Sequence, residues 1–380
     1  MKLAFVSKFD AKNVHKRSGT PYYMSQALLN QGVELEYIGS LKTKLRPGFK
    51  IINALKKMIH AKQESSRNNT FTMLNYSKQV KEQLANKNVN AVLAHISTPI
   101  AYLECKEPIV LWTDALYAAM LGFNPFFANQ ATSTIEEANA GTASALSRCK
   151  LAIFSSDWAA RSAKELYGVE KDKIHVVPFG ANIDTQNTLL DVKSFLKKRS
   201  PNKIKLLFIG KEWNLKGGDI VFNVAKALHA ANHSVELNFV GCIPPANIEI
   251  PHYIICHGYI SKKTPEGMQK ITQLLSESHF LFVPSRAEAF GIVFCEANAF
   301  GLPCLTSHVG GIPTIVKNDI NGMTFSSFAT TDIYCDYIIN LMQNYSRYEE
   351  MALSAFHEFE RRLNWDVATK HVKKLIENIL

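Results

Sequence analysis

Two glutamates eight positions apart, Glu288 and Glu296, are the residues of this chain whose types and spacing point most directly to chemistry. The first follows the apolar segment 280–283, which predicts a buried strand, and the second lies on a predicted helix that begins at Gly291. Both carboxylates stand among apolar residues, where a charged group needs a partner to offset its lost hydration. The free amides at a helix start attract anions. The pattern indicates a site for a ligand with both phosphate and hydroxyl groups, such as a sugar nucleotide. Two glutamates at this spacing also occur on solvated helix surfaces, so that interpretation stays open.

A glycine-rich turn, residues 210–219, is the second candidate. It joins a predicted strand at 204–209 to a predicted helix, and its amides can approach a phosphate. Lys211 and Lys216 add two positive charges to the turn. A tight turn with two solvated lysines would show the same pattern, so the segment alone leaves both interpretations open.

A third candidate is the loop His15–Tyr22, which follows the first predicted strand. Gly19 allows the backbone to come close to a ligand, and Thr20 is expected to cap a helix that begins at Pro21. A loop and a helix cap without any ligand explain these residues equally well.

The elements that position these residues are predicted to be alternating strands and helices, in two successive sets. The chain has 380 residues, which suits two domains that each bury a core. The alternation predicts an α/β protein with two doubly wound parallel sheets, which bind ligands beyond the carboxyl ends of their strands. Residues 182–203 are polar and are predicted to be a linker between domains at 1–181 and 204–363. An amphipathic helix is predicted for 364–380.

These segments, in this order, resemble the retaining glycosyltransferases of family 4, whose signature is two glutamates separated by seven residues. The resemblance runs over essentially the whole chain and is strongest from 204 to 325. It implies the GT-B fold, in which two Rossmann-like domains face each other across a cleft. It also implies that helix 364–380 crosses back to pack on the first domain.

The resemblance implies a role for each motif. Glu296 is expected to hold the ribose hydroxyls, and Glu288 is expected to position the donor sugar and act in catalysis. Lys211, which stands where the family usually has arginine, and Lys216 are expected to stabilise the departing diphosphate. The donor-binding positions implied by the resemblance are Gly19, Thr20, Gly210, Gly258, Tyr259, Ala289, Phe290, Gly291, Ile292, Glu296, Gly310 and Gly311.

The first domain contributes further candidates through the same resemblance. Asp114 lies near the position where the family commonly has a histidine that touches the donor sugar. Its carboxylate could hydrogen-bond a sugar hydroxyl, stabilise positive charge at the anomeric carbon, or cap the following turn. His95 could compensate for the missing histidine, or be structural. His15 and Arg17 are expected to contact the acceptor.

The implied activity is the retaining transfer of a sugar from a UDP- or GDP-linked donor to a glycan or lipid-linked acceptor, in cell-surface polysaccharide or lipopolysaccharide biosynthesis. The sequence contains no Asp-x-Asp motif, and neither a metal nor a cofactor is expected. Two alternatives stay open: a non-catalytic sugar-nucleotide or glycan-binding relative, and a nucleotide-sugar epimerase on the same fold.

The formal net charge of +10 is concentrated in residues 42–62, which contain seven Lys or Arg and no acid. Apolar residues interleave at helical spacing, which predicts a basic amphipathic helix, either on an anionic membrane surface or packed on its own domain. A nucleic-acid partner is not expected, because aromatic interleaving and recognisable motifs are missing.

The apolar run at the N-terminus is too short for a signal peptide, and no stretch is long enough to span a membrane. The seven cysteines show no C-x-x-C spacing and are expected to be reduced thiols. These features predict a cytoplasmic protein, with the inner face of the membrane as a second location.

Overall fold

The computed structural model describes residues 1–45, 48–49, 51, 53–54 and 68–380. The chain divides into two compact units, residues 1–178 together with 365–380, and residues 179–364. The basic amphipathic helix predicted for 42–62 lies largely outside the described residues.

In the first unit, the described residues form a parallel sheet of six strands in the order β2-β1-β3-β4-β5-β6. The strands are β1 (Lys2–Val6), β2 (Glu34–Ile38), β3 (Ala91–Ala94), β4 (Ile109–Thr113), β5 (Cys149–Phe154) and β6 (Ile174–Val176). The helices are α1 (Thr20–Asn30), α2 (Thr70–Leu84), α3 (Tyr117–Met120), α4 (Thr132–Arg148), α5 (Asp157–Tyr167) and, near the end of the chain, α13 (Trp365–Glu377). Every residue of β3 and β4 is buried, as expected of central strands covered on both faces.

The last helix, α13, is part of the first unit, where it packs against α1. The Lys373 ammonium donates to the Gln31 carbonyl over 2.9 Å. At the other end of α13, the ring of Trp365 meets that of Trp112 edge to face, with centroids 5.7 Å apart. The apolar stripe of α13 therefore completes the first core.

The second unit repeats the design with strand order β12-β11-β10-β7-β8-β9, and the strands are parallel. The strands are β7 (Ile204–Gly210), β8 (Val235–Gly241), β9 (Ile254–Cys256), β10 (Phe280–Val283), β11 (Cys304–Ser307) and β12 (Gly322–Phe325). The helices are α6 (Leu189–Lys198), α7 (Gly218–Ala230), α8 (Pro265–Glu277), α9 (Ile292–Asn298), α10 (Ile312–Ile315), α11 (Thr331–Gln343) and α12 (Tyr345–Arg362). The α/β class with two doubly wound sheets is thus confirmed.

The segment predicted as a linker, 182–203, differs from that expectation. It lies in the second unit and contains helix α6, whose first turn is stabilised by a reciprocal capping box between Thr188 and Asp191. Val192 and Leu196 are buried on one face of the helix, while its other residues are mostly exposed. The polar composition therefore belongs to an amphipathic helix with a narrow apolar face.

Among the described residues, no helix is both long enough and apolar enough to cross a membrane. All seven cysteines are free, and five of them are buried. Burial raises the pKa of the Cys149 thiol to about 12. Burial thus favours the protonated form of this thiol.

Candidate active site

Glu288 and Lys216 form an ion pair between two loops of the second unit. Glu288 lies after β10 and Lys216 after β7, and the two strands are adjacent in the sheet. The Lys216 Nζ donates to Glu288 Oε2, and the two side chains are 22% and 18% exposed. The carboxyl ends of parallel strands meet at one edge of a sheet, which is why residues 72 positions apart in sequence come together here.

The two loops also contact each other through their backbones. Gly217 has a φ of 74°, and a Cβ built on it would lie 2.3 Å from the Pro284 carbonyl oxygen, so no other residue fits without displacing the loop. The Arg286 amide donates to the Leu215 carbonyl over 2.8 Å. The lysine-bearing loop is therefore held against the start of the glutamate loop.

The side chain of Arg286 adds a bidentate ion pair. Its two terminal nitrogens lie 2.8 and 2.6 Å from the carboxylate oxygens of Asp219, in the first turn of α7. Hydrogen bonding from Arg286 lowers the pKa of Asp219, and the same guanidinium also donates to the Asn214 carbonyl. Neither Arg286 nor Asp219 was singled out from the sequence.

Gly291 and Gly311 shape the other side of Glu288. Gly291 is the N-cap of α9 with a φ of 102°, a left-handed conformation that favours glycine. The Gly311 amide donates to the backbone carbonyl of Glu288 over 3.1 Å, so the turn after β11 supports the glutamate loop. Of the other predicted positions on these two loops, Phe290 is buried, Ala289 and Ile292 are half-buried, and Gly310 has a φ of 52°.

Glu296 lies on α9 and is buried, with only 4% of its surface exposed. The Lys262 Nζ donates both to Glu296 Oε1 and to the Asn182 carbonyl, the latter over 3.1 Å. Burial raises the pKa of Glu296, while the Lys262 charge and the Asn182 backbone oppose the rise. The requirement that a buried carboxylate find a partner was readable from the sequence, but Lys262 as that partner was not.

The glycines at the ends of β7, β8 and β9 form a backbone platform beside these groups. The Gly241 amide donates to the Gly258 carbonyl over 2.8 Å, and the Cys242 amide donates to the Gly210 carbonyl over 2.7 Å. Above this platform, the Lys211 ammonium lies 5.2 Å from the centre of the Tyr259 ring. The predicted diphosphate loop and the predicted base loop are thus neighbours.

In the first unit, the predicted residues Arg17 and Asp114 come together. Arg17 Nη2 lies 3.5 Å from Asp114 Oδ1, and both side chains are partly exposed. Arg17 and Ser18 have φ values of 50° and 56°, a left-handed backbone conformation that residues other than glycine rarely adopt. Two adjacent strained residues persist only where the surrounding structure enforces them, and such strain is concentrated at functional sites.

His95 is a further candidate of the first unit, and its pKa responds to the charge of Arg17. His95 is buried, and its Nδ1 lies 3.3 Å from the Val6 carbonyl. Burial, together with the Arg17 charge, lowers the pKa of His95 to about 3. Its Nε2 has no hydrogen-bond partner among the described residues.

The cap expected at Thr20 is wrong, because Thr20 is already helical (φ −51°, ψ −49°) and Gly19 is the N-cap of α1. The glycine reaches a φ of 88° without strain, and the helix runs from Thr20 to Asn30. His15 is exposed, and its amide donates to Asn13 Oδ1 over 2.9 Å.

Comparison with known proteins gives a match within the second unit. Residues 203–344 match the family profile described as glycosyl transferases group 1. The matched segment contains β7 to α11 and with them Lys211, Lys216, Lys262, Glu288 and Glu296.

Relatives and solved structures extend the likeness. The chain is 28% identical over 229 residues to a D-inositol 3-phosphate glycosyltransferase of Xylanimonas cellulosilytica, which is 57% of this chain and 54% of that protein. The chain spans about half the length of the curated relatives it matches first.

Two solved structures align with the chain nearly end to end. WaaG, a glycosyltransferase involved in lipopolysaccharide biosynthesis, is 16% identical with a TM-score of 0.65, covering 98% of this chain and 99% of that one. Anabaena HepE, solved with UDP and glucose, is 13% identical with a TM-score of 0.63, covering 99% of each chain. The fold is therefore GT-B, as the sequence predicted.

Proposed function

We propose that this protein is a retaining glycosyltransferase that uses a UDP- or GDP-linked sugar as its donor. One observation carries the proposal: at the carboxyl edge of a single sheet, the two glutamates of the signature are each held by a lysine from a different loop. Charged groups so placed suit a ligand with both hydroxyls and phosphates. The match of residues 203–344 to the profile of glycosyl transferases group 1 supports the same activity.

The leaving diphosphate would be stabilised by Lys216 and Lys211. A lysine ammonium has three donors, and Lys216 uses one of them on Glu288, so two remain for phosphate oxygens. Glu288 fixes the direction of that ammonium. Because the donors are already oriented, they stabilise the charge that develops on the leaving group without reorganising.

Glu296 would bind the ribose hydroxyls, since a charged carboxylate accepts two hydrogen bonds from neighbouring hydroxyl groups. The platform of Gly210, Gly241 and Gly258, with Tyr259 beside it, offers backbone groups for the base. The UDP seen in the structure of HepE makes a uridine nucleotide the first donor to test.

The reaction would pass through a transition state with oxocarbenium character. Attack on the same face as the leaving group would allow a donor phosphate oxygen to take the acceptor proton, so no separate base is required. Asp114, oriented by Arg17, is the first-unit group proposed to contact the sugar. His15 and Arg17 are proposed to contact the acceptor.

The acceptor is proposed to be a glycan or lipid-linked molecule of a surface polysaccharide or lipopolysaccharide pathway, handled in the cytoplasm or at the inner membrane face. The activity of WaaG supports this assignment by fold. Neither a metal nor a cofactor is included in the proposal.

The test is thermal unfolding of the protein with UDP-, GDP-, ADP- and CMP-sugars, beside Glu296→Gln and a control, Glu236→Gln. Glu236 is also paired with a lysine, Lys203 at 2.6 Å, but lies near the opposite, amino end of β8. A ligand at 100 times its Kd adds about 2.7 kcal/mol of stability. We expect a shift for one nucleotide class that persists in Glu236→Gln and is lost in Glu296→Gln.

The outcomes separate the candidate functions. Transfer or hydrolysis of the bound donor supports the proposal. A shift without turnover favours a non-catalytic relative, and conversion of the sugar without its release favours an epimerase. The absence of a shift with every nucleotide sugar would overturn the proposal.

A further inference from the structure

We infer that Lys262 is a positioning residue for Glu296, which holds the carboxylate in place for the ribose hydroxyls of a nucleoside diphosphate sugar. The inference rests on the proposed function, because it concerns the same site. Lys262 is distinct from the lysines of the diphosphate loop, and it lies on the segment that joins β9 to α8.

Glu296 needs a cationic partner because it is buried. The side chain of Glu296 is 5% exposed, whereas that of Lys262 is 33% exposed. An unpaired buried carboxylate becomes protonated instead of remaining charged. Lys262 supplies the compensating charge, and it does so at Oε1.

The Lys262 ammonium belongs to a network of hydrogen bonds. The Lys262 Nζ donates to both Glu296 Oε1 and the Asn182 carbonyl, and the Asn182 backbone also hydrogen-bonds the glutamate carboxylate. Lys262, Asn182 and Glu296 therefore form a closed network that fixes the rotation of the carboxylate. The backbone next to Asn182 is also held in place, because the Ala181 amide donates to the Leu363 carbonyl over 3.1 Å.

Lys262 lies on the same loop as the residues predicted to contact the base. It follows Gly258 and Tyr259 by a few residues, so one loop carries both the predicted base contact and the residue that holds the ribose acid. A nucleotide that orders this loop also sets the position of the ammonium. Base and ribose recognition are thereby coupled.

The consequence is a change in how binding depends on pH when Lys262 is replaced. The adjacent Cys295 thiol, whose pKa burial raises, interacts electrostatically with Glu296 and also with the Arg362 guanidinium, which is paired with Glu358. Removing the Lys262 charge removes the largest factor that lowers the pKa of Glu296, so that pKa rises. The carboxylate then becomes protonated at a higher pH, and binding that needs the carboxylate is lost as pH falls through the raised pKa.

The experiment is calorimetric titration with UDP-glucose, or with GDP-mannose if that is the donor class that binds the unmodified protein. In such donors each phosphate carries one ester and one anhydride bond and keeps only a strongly acidic hydroxyl, so no phosphate titrates near neutral pH. The variants are Lys262→Met, the conservative Lys262→Arg, and the control Lys263→Met, which removes an exposed neighbouring lysine. Each is titrated between about pH 6 and about pH 8.

We expect Lys262→Met to bind at least about tenfold more weakly at the acid end than at the alkaline end, relative to the unmodified protein. Lys262→Arg should restore the original pH profile, and Lys263→Met should not alter it. A uniform weakening across the pH range, or no weakening, would overturn the inference. Failure of the unmodified protein to bind any nucleotide sugar would instead overturn the proposed function.

Discussion

Arg286 and Asp219 form a bidentate ion pair, with nitrogen–oxygen distances of 2.8 and 2.6 Å, between the loop after β10 and the first turn of α7. The pair joins the loop that carries Glu288 to the loop that carries Lys216. It touches none of the proposed ligand groups, yet it restrains the distance between them. A planar guanidinium provides this geometry, and an ammonium does not.

We therefore predict that Arg286→Lys weakens nucleotide-sugar binding several-fold while leaving the midpoint of thermal unfolding almost unchanged. The two side chains are 47% and 40% exposed, and an ion pair so exposed contributes only about 0–1 kcal/mol to stability. The matched control is Arg347→Lys, which alters the Arg347–Asp319 pair, at 47% and 53% exposure and outside the site. Equal donor affinities in the two variants would contradict a restraining role for Arg286.

Replacing Lys216 with Met is predicted to reduce the rate of sugar transfer by about 10²- to 10³-fold, the usual effect of removing one oriented electrostatic contact. It also leaves the Glu288 carboxylate, 18% exposed, without its cation. The double variant Lys216→Met with Glu288→Gln should recover stability but not turnover. The control is Lys226→Met, which lies on the exposed face of α7. If the single variant Lys216→Met kept full turnover, the role assigned to Lys216 would be ruled out.

Arg199→Met is predicted to lower the free energy of unfolding by at least about 2 kcal/mol, because several buried acceptors would lose their donor. Arg199 is 2% exposed and binds the carbonyls at the ends of α8 and α9. Its acceptors are the carbonyls of Leu275, Ser276, Phe300 and Gly301 and the hydroxyl of Tyr348. Urea unfolding measures the change, and the exposed neighbour Lys198→Met should show almost none.

His95 is predicted to make the first unit less stable as pH falls. Its pKa is about 3 in the folded protein against an ordinary value of 6.5, so between these values the unfolded chain binds more protons. Stability is therefore full above about pH 6.5 and declines below it, by at most about 1.4 kcal/mol per pH unit. Urea unfolding at about pH 7 and about pH 5 should show a smaller decline for His95→Phe. The exposed His357→Phe serves as the control, and equal declines in all three proteins would refute the prediction.

The alternation of buried strands and amphipathic helices was sufficient to predict both sheets, because local hydrophobic periodicity reports which face of each element is buried. The GT-B fold was implied only by the resemblance of the ordered motifs to family 4. The positions of Glu288, Lys216 and the glycine turns at one edge of the sheet also followed, since parallel strands place their carboxyl ends together. Their catalytic and binding roles remain predictions.

Other features required long-range contacts that leave no local pattern. Arg199 follows two lysines in a polar stretch and was interpreted as part of a linker, yet it is buried where two helix ends converge. Lys262 as the partner of Glu296, and Asp219 as the partner of Arg286, are pairings between residues 34 and 67 positions apart. An apolar stretch around a charged residue indicates that the charge needs a partner. Which residue becomes the partner depends on the loops that the packed sheet brings close together.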